Sequence, residues 1–349
     1  MEITYTIEGI GLNQDYFVYV SGETIPLAKA ETESLLEMCN KEIVVEWKGR
    51  LGRFSSTTDL TGFLLGRAAF VKTSGRILAE FHEVDDIPQK GLEGVIDSTK
   101  SFAVRTLHLG EFNERGETSS LEAEVGAALL KHNQAEVSLD SPDILFLVIC
   151  SDETRLLTIS EESRIRKLLE LREPGRKEFF HPSMMNAKLA RAMCNLAQVM
   201  PSQIVLDPFC GAGGILCEVI PIGARGVGMD LNWNLLRGAR LNLKDAGVIG
   251  FSLIQGDARS CPVDSCDCIV TDPPYGRASS TRGSQARALV ESFLKDVRRI
   301  LPKGGRVCMC ASSDMEVYDI VRDLEIGVKS VVDLRVHSGL VRQVFSLFV

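Results

Sequence analysis

The sequence predicts an α/β protein: a C-terminal mixed seven-stranded sheet covered by helices, preceded by an N-terminal α+β region. Three observations predict it. Short apolar strands alternate with helical patterns after residue 180, a glycine-rich turn follows the first of those strands, and two closing strands are joined by a tight link. Alternating strands and helices imply a parallel sheet covered on both faces. Two strands joined by a short turn must run antiparallel, since a parallel pair needs a long crossover.

The elements follow in order. Residues 184–200 carry Met185, Leu189, Ala192, Met193, Leu196 and Met200 at helical spacing, stopped by Pro201 and Ser202. Residues 204–207 form a short strand running into the glycine turn, and 215–220 a short helix ended by Pro221 and Gly223. Residues 226–230 are a second strand, 232–246 a helix capped by Gly247, 251–255 a third strand and 266–271 a fourth. Residues 285–301 place Ala286, Val290, Phe293, Val297 and Ile300 on one helix face. A fifth strand at 306–311, a helix at 314–324 and strands at 328–337 and 341–349, linked through Ser338-Gly339, complete the half. The first half is less regular. It suggests helices at 28–39 and 119–131, a helical or loop pattern at 54–70, and strands at 90–98, 102–107 and 144–149. The chain thus reads as an N-terminal α+β segment (1–50), a second α+β domain (51–155), a charged connector (156–178) and the sheet domain (179–349).

Composition bounds the function. Hydrophobic residues make up 45% and charged residues 25%, an ordinary globular balance. The start, MEITYTIEGI, lacks the basic and apolar pattern of a signal peptide, and no apolar run is long enough to span a bilayer. The expectation is a cytoplasmic protein without a membrane partner. None of the ten cysteines forms a C-x-x-C pair, and the spacing of Cys261, Cys266 and Cys268 matches no common zinc pattern. Reduced, buried thiols and no metal are expected. The net charge of −8 argues against a nucleic-acid partner when taken alone. The charge is uneven, however: residues 164–191 hold eight basic and three acidic side chains, and 276–306 hold eight and two. Phosphate attraction is local within a Debye length, so an acidic chain can carry a basic working face.

Residues 205–214, VLDPFCGAGG, end a strand at Asp207 and open a helix with Gly211, Gly213 and Gly214. Glycine lets the backbone approach a ligand closely and adopt positive φ. Asp230 ends the second strand, where such folds present an acid to ribose hydroxyls, and Asp257-Ala258 follows the third, placed to reach an adenine amine. Each Asp alone is also a good helix cap; three in register after consecutive strands point to a nucleoside ligand. No intact G-x-G-x-x-G is present, and a leading aspartate suits the cationic amino-acid end of S-adenosylmethionine better than a pyrophosphate. Asp207, Pro208, Cys210, Gly211, Gly213, Asp230, Leu231, Asp257 and Ala258 are the expected cofactor residues.

After the fourth strand comes TDPPYG, residues 271–276. D-P-P is also good turn chemistry, but its place after this strand points to a site. Prolines fix φ and lack N–H groups, so the Pro273 and Pro274 carbonyls and the Asp272 carboxylate can accept from an amine. Tyr275 offers a face for a base to stack on. An exocyclic base amine is a poor nucleophile because its lone pair is delocalised. Acceptors that hold its N–H groups favour pyramidalisation and stabilise the positive charge developing on nitrogen, and alignment supplies much of the rest. Asp272, Pro273, Pro274 and Tyr275 are the candidate catalytic residues. The base must be unpaired or flipped to reach them.

These residues resemble the D/N-P-P-Y amino-methyltransferases. Residues 177–197, KEFFHPSMMNAKLARAMCNLA, with TDPPYGRASS, SFAVRT (101–106) and VSLDSPDILFLVI (137–149), resemble the archaeal THUMP-class tRNA methyltransferases that modify the guanine-10 N2 amine. The resemblance is strong over 177–280 and weak over 1–90. It implies a class I, Rossmann-like methyltransferase domain, an N-terminal THUMP-containing region that grips tRNA (the 51–155 domain), and S-adenosylmethionine as methyl donor. It places Phe180, His181 and Pro182 near the cofactor or base, and Arg105, Arg176, Lys177 and Arg277 against RNA. Relatives of this class work with a small zinc-binding activator subunit, so the resemblance admits such a partner here. The tetrapeptide alone leaves DNA adenine and ribosomal RNA guanine open as targets. A non-catalytic RNA-binding or cofactor-sensing module is the remaining alternative; the retained Asp207, Asp230, Asp257 and Asp272 argue against it.

Overall fold

The computed structural model describes residues 13–88, 92–109, 115–152, 154–247, 250–275, 280–337 and 340–349. In order these form β1 (Gln14–Val20), α1 (Ile25–Cys39), β2 (Glu46–Lys48), β3 (Leu51–Ser56), α2 (Thr61–Arg67), β4 (Val71–Phe81), β5 (Ser101–His108), α3 (Arg115–His132), β6 (Glu136–Val137), β7 (Ile144–Cys150) and β8 (Arg155–Glu162). They continue as α4 (Ile165–Leu171), α5 (Ala187–Leu196), β9 (Ile204–Asp207), α6 (Leu216–Val219), β10 (Arg225–Asp230), α7 (Trp233–Asp245), β11 (Phe251–Gln255) and β12 (Cys268–Thr271). The last are α8 (Ser280–Ile300), β13 (Arg306–Ser312), α9 (Val317–Asp323), β14 (Gly327–His337) and β15 (Leu340–Phe348). The expected turn at Ser338-Gly339 lies outside the described residues.

The chain divides into two compact units. The first contains an eight-stranded sheet in the order β2-β3-β1-β4-β8-β7-β5-β6. Phe81, Phe102, Phe146 and Leu157 pack under α3 through Val125 and Leu129, with the Phe102 and Phe146 rings edge to face at 5.8 Å. Phe17, Leu51, Ile149 and Leu156 form a separate cluster. This unit departs from the expected divisions. Residues 14–20 and 51–56 pair in one sheet, so no boundary falls at residue 50. The expected connector begins inside β8, which pairs with β4 and β7. The expected strand at 90–98 is turn where it is described, because Gly94 takes φ +70, a conformation that interrupts a strand.

The second unit holds residues 21–41, 67–70 and 164–349. Its seven-stranded sheet runs β11-β10-β9-β12-β13-β15-β14. The strands from β11 to β13 are parallel, and β15 runs antiparallel to both β13 and β14, as the short link demands. Val290, Phe293, Val297 and Ile300 of α8 are buried against Ile269, Val307 and Met309. Each such burial stabilises by about 1.5–3 kcal/mol relative to exposure. Leu216, Leu236 and Leu243 of α6 and α7 pack with Leu253 in a separate cluster. Helix α5 starts three residues later than its apolar spacing suggests, because Asn186 caps it by accepting from the Leu189 N–H at 2.7 Å.

Helix α1 belongs to this second unit through a buried polar clasp. Glu31 is fully buried and accepts from the Ala69 and Phe70 N–H groups at 2.8 and 2.9 Å and from Asn195 Nδ2 at 2.7 Å. Burial still raises its carboxyl to about 7. A second buried knot joins α4, α5 and α6: Glu218 pairs with Arg172 at 2.8 Å and Arg191 at 2.9 Å.

Candidate active site

The parallel strands reverse order between β9 and β12, and open α/β sheets bind ligands in the crevice at such a switch point. Asp207 ends β9, and Asp272 follows β12 directly. Asp207 is fully buried and accepts from Thr271 Oγ1 at 2.7 Å and from the Phe209 N–H at 3.2 Å. Burial outweighs these bonds and pushes its carboxyl up to about 7, with Asp272 and Asp230 adding repulsion. A cation delivered there would relieve this cost.

The glycine turn is built for close approach. Gly211 sits at φ +51 with open space where a side chain would stand, and Gly213 at φ +83 lies against Ala239 of α7. Asp230 Oδ2 accepts the Gly211 N–H at 2.9 Å, and its Oδ1 accepts from Asn232 at 2.8 Å. The β10 carboxylate therefore braces the turn from below. Cys210 and Pro208 are buried, and burial drives the Cys210 thiol far up, so it is packing and not a nucleophile. Ala258 is buried, whereas Leu231 is exposed at the mouth. Asp257 caps the following turn, and its carboxylate is taken by Arg259, Nη2 to Oδ2 at 2.5 Å. That pair holds Asp257 below the usual carboxylate range.

The Asp272 side chain lies in a mostly buried niche. Burial raises its carboxyl, opposed first by Arg342 and then by the Tyr275 hydroxyl. Arg342, on β15, brings Nη2 to 3.9 Å of Asp272 Oδ2 and its guanidinium to 5.4 Å of the Tyr275 ring centre. The Tyr275 hydroxyl donates to Asp272 Oδ1. Tyr275 is partly buried against the apolar core and not splayed outward as a stacking platform. Pro273 is buried and Pro274 exposed. The Tyr275 hydroxyl thus occupies one Asp272 oxygen, while Arg342 opposes the upward shift that burial imposes.

The described contacts of the other expected residues do not reach this cluster. Arg105, in the first unit, donates to the Val104 and Leu139 carbonyls at 3.2 and 2.6 Å, so its guanidinium is engaged by its own fold. Arg176 is exposed on a 3-10 turn, Lys177 follows it half-buried, and Arg277 lies outside the described residues. His181 bonds Ser183 Oγ at 2.6 Å, and Phe180 is exposed.

Sequence reasoning missed three residues. Arg342 sits in an ordinary strand pattern, and only the fold brings it to Asp272. Thr271 stood in the motif without a role. Asn242 is buried in α7 and ties Phe179 to the glycine turn: it accepts from the Phe179 N–H at 2.8 Å and donates to the Phe179 and Ala212 carbonyls at 2.9 and 3.0 Å. A polar residue on the buried side of a helix was the available signal.

Residues 174–343 match the family described as RMKL-like methyltransferase domain, UPF0020. Over 245 residues the chain is 35% identical to the tRNA (guanine(10)-N2)-dimethyltransferase of Methanothermobacter thermautotrophicus, covering 70% of this chain and 71% of that one. The enzyme of the same name from Methanocaldococcus jannaschii is 29% identical over 93% of this chain and 97% of its own. Among solved structures, SMU.472 in complex with SAH superposes with a TM-score of 0.51 at 11% identity, over 96% of this chain and 97% of that one. That likeness shows a shared methyltransferase fold.

Proposed function

We infer that this chain, which belongs to the family of archaeal tRNA (guanine(10)-N2)-dimethyltransferases, is an S-adenosylmethionine-dependent enzyme that methylates the N2 amine of a guanine in tRNA. The observation that carries the reading is that Asp207, at the end of β9, and Asp272, directly after β12, flank the switch point closely enough to repel each other. The donor residues suit S-adenosylmethionine: Asp207 wants a cation, Gly211 leaves backbone open, and Asp230 stands where ribose hydroxyls are received. The cofactor, when bound, supplies an electrophilic methyl on a sulfonium.

The chain's own residues do the rest. The Asp272 carboxylate and the Pro273 carbonyl accept the guanine N2 hydrogens once the Tyr275 hydroxyl yields. They hold the amine pyramidal and stabilise the charge that develops on it. Arg342 opposes the burial that raises the Asp272 carboxyl, and its guanidinium lies over the Tyr275 ring. After transfer the methylated amine gives its proton to water, so Asp272 need not act as the base. The target base reaches the crevice unpaired. The tenth nucleotide is the proposed target, following the relatives' names, with N2-methylguanosine and N2-dimethylguanosine as products. The first unit is proposed as the THUMP-like RNA-gripping domain. A zinc-binding activator subunit and a cytoplasmic setting extend this reading; among the described residues no helix is long and apolar enough to cross a membrane.

Nucleoside mass spectrometry of a tRNA transcript, before and after incubation with the protein and S-adenosylmethionine, tests it. Methylated guanosine mapping to position 10 is the expected result. An unmodified transcript despite bound cofactor would refute it.

A further inference from the structure

Helix α7 carries a surface that the chemistry above does not use. Trp233, Arg237, Arg240, Leu241 and Lys244 recur at offsets of four, seven, eight and eleven residues, which puts them on one face. All five are exposed, and together they line a shallow groove of about 360 Å³. The opposite face, with Leu236, Gly238, Ala239, Asn242 and Leu243, is buried. At about 1.5 Å per residue the stripe is roughly 16 Å long. It starts three residues after Asp230, at the carboxyl end of β10, so it leads away from the mouth of the cofactor site down the flank of the sheet.

The charges on this stripe are unspent. On α8 and α9, Lys295 pairs with Glu291, Arg299 with Asp296, and Arg322 with Asp319. Among the described residues, no carboxylate forms an ion pair with Arg237, Arg240 or Lys244, and Asp245 is the only acid in α7. A chain of net charge −8 thus keeps a row of three unneutralised cations beside its site. An exposed tryptophan, 58% accessible, stands at the row's upper end. Guanidinium forks match phosphate oxygens, and an indole face accepts an unpaired base regardless of sequence. Two apolar side chains are too few to form the apolar core of a protein interface.

We propose that this face of α7 docks the tRNA substrate, with Arg237, Arg240 and Lys244 on successive backbone phosphates and Trp233 against an unpaired base. The inference rests on the tRNA reading above and gives that substrate a track on the catalytic unit itself. The contact is sequence-independent, so it positions the RNA and does not select the target guanine.

Two measurements test it. Trp47→Phe leaves Trp233 as the only tryptophan, and titrating that variant with tRNA transcript is expected to quench or shift its emission. Arg237→Gln/Arg240→Gln/Lys244→Gln is expected to weaken tRNA binding about tenfold or more at about 0.1 M salt, and to make log K against log salt shallower by about 2–3. Cofactor affinity and melting temperature should stay as they were, with KM for tRNA raised and kcat kept. Unmoved Trp233 emission, or a triple variant with the parent's tRNA affinity and salt slope, overturns the proposal. The emission measurement decides even if the triple variant folds poorly, because it leaves the stripe intact. A triple variant with the parent's kcat/KM for tRNA sinks the docking face and keeps the activity. RNA binding through this face without any methyl mark does the reverse.

Discussion

Among the described residues, both units bury hydroxyls and amides, but the second alone also buries charged side chains. The first buries hydroxyls and one amide: Ser56, Thr61, Ser74, Asn133, Thr158 and Ser160. Those with described side-chain bonds mostly reach backbone carbonyls, as Ser74 does at 2.7 Å from Phe17 and Thr158 at 2.9 Å from Leu147. The second buries Glu31, Arg191, Asp207 and Glu218. Buried charge is expensive unless paired and hydrogen-bonded, so the difference marks where the molecule retains charge for a purpose. Glu218 is paired on two sides and holds helices together. Among the described residues, Asp207 has neutral donors and repelling acids around it, which fits the cation-binding role proposed for it.

The largest way to break this contrast is Glu218→Gln. It strands two guanidinium groups and is expected to cost about 3–5 kcal/mol, read as a lowered urea midpoint; a loss under 1 kcal/mol would contradict the pairing. Next comes the pH dependence of Asp207. Its folded carboxyl titrates near 7, well above the roughly 3.9 of an unfolded chain. In the ligand-free protein its stabilising neutral form is fully present below about 4, and that stability is lost as pH rises towards 7. Cation binding has the opposite sense, because it favours the carboxylate. S-adenosylmethionine affinity should therefore rise about tenfold per pH unit from 5 to 7, measured by calorimetry, and flatten in Asp207→Asn. Arg342→Gln removes the cation that lowers Asp272. The acid limb of the kcat profile should move up by about one unit or more, with Arg342→Lys restoring part of it; an unchanged limb would make Arg342 a packing residue. Thr158→Val, in the first unit, should cost only about 0.5–1.5 kcal/mol and leave methyl transfer untouched.

Local patterns made the second unit readable and the first only partly so. Short apolar strands ending in Asp207 and Asp230, and a third shortly before Asp257, advertised the parallel sheet. The α8 face through Val290, Phe293 and Val297 was visible in its spacing and is buried as expected. In the first unit β4 is a long strand, VKTSGRILAEF, whose glycine and mixed polarity hide its period. Gly75 is required there: a Cβ would lie 1.9 Å from the Ile159 carbonyl oxygen of the neighbouring β8. Such a packing reason has no sequence period. Long-range partners escaped for the same reason. Arg342 on β15 meets Asp272 after β12, and Glu31 clasps Asn195 from 164 residues away. The motifs singled out candidate residues, while their partners came only from the fold.

The central claim is that Asp272 serves the acceptor amine while Asp207 and the glycine turn serve the donor. Asp272→Ala separates the two roles. Methylguanosine formed on tRNA in a single turnover, measured alongside S-adenosylmethionine affinity for the same variant, reads both. The account predicts transfer reduced at least about 100-fold with cofactor affinity within about threefold of the parent, since the donor contacts stay in place. Transfer at the parent rate, or cofactor affinity lost in step with activity, would contradict it.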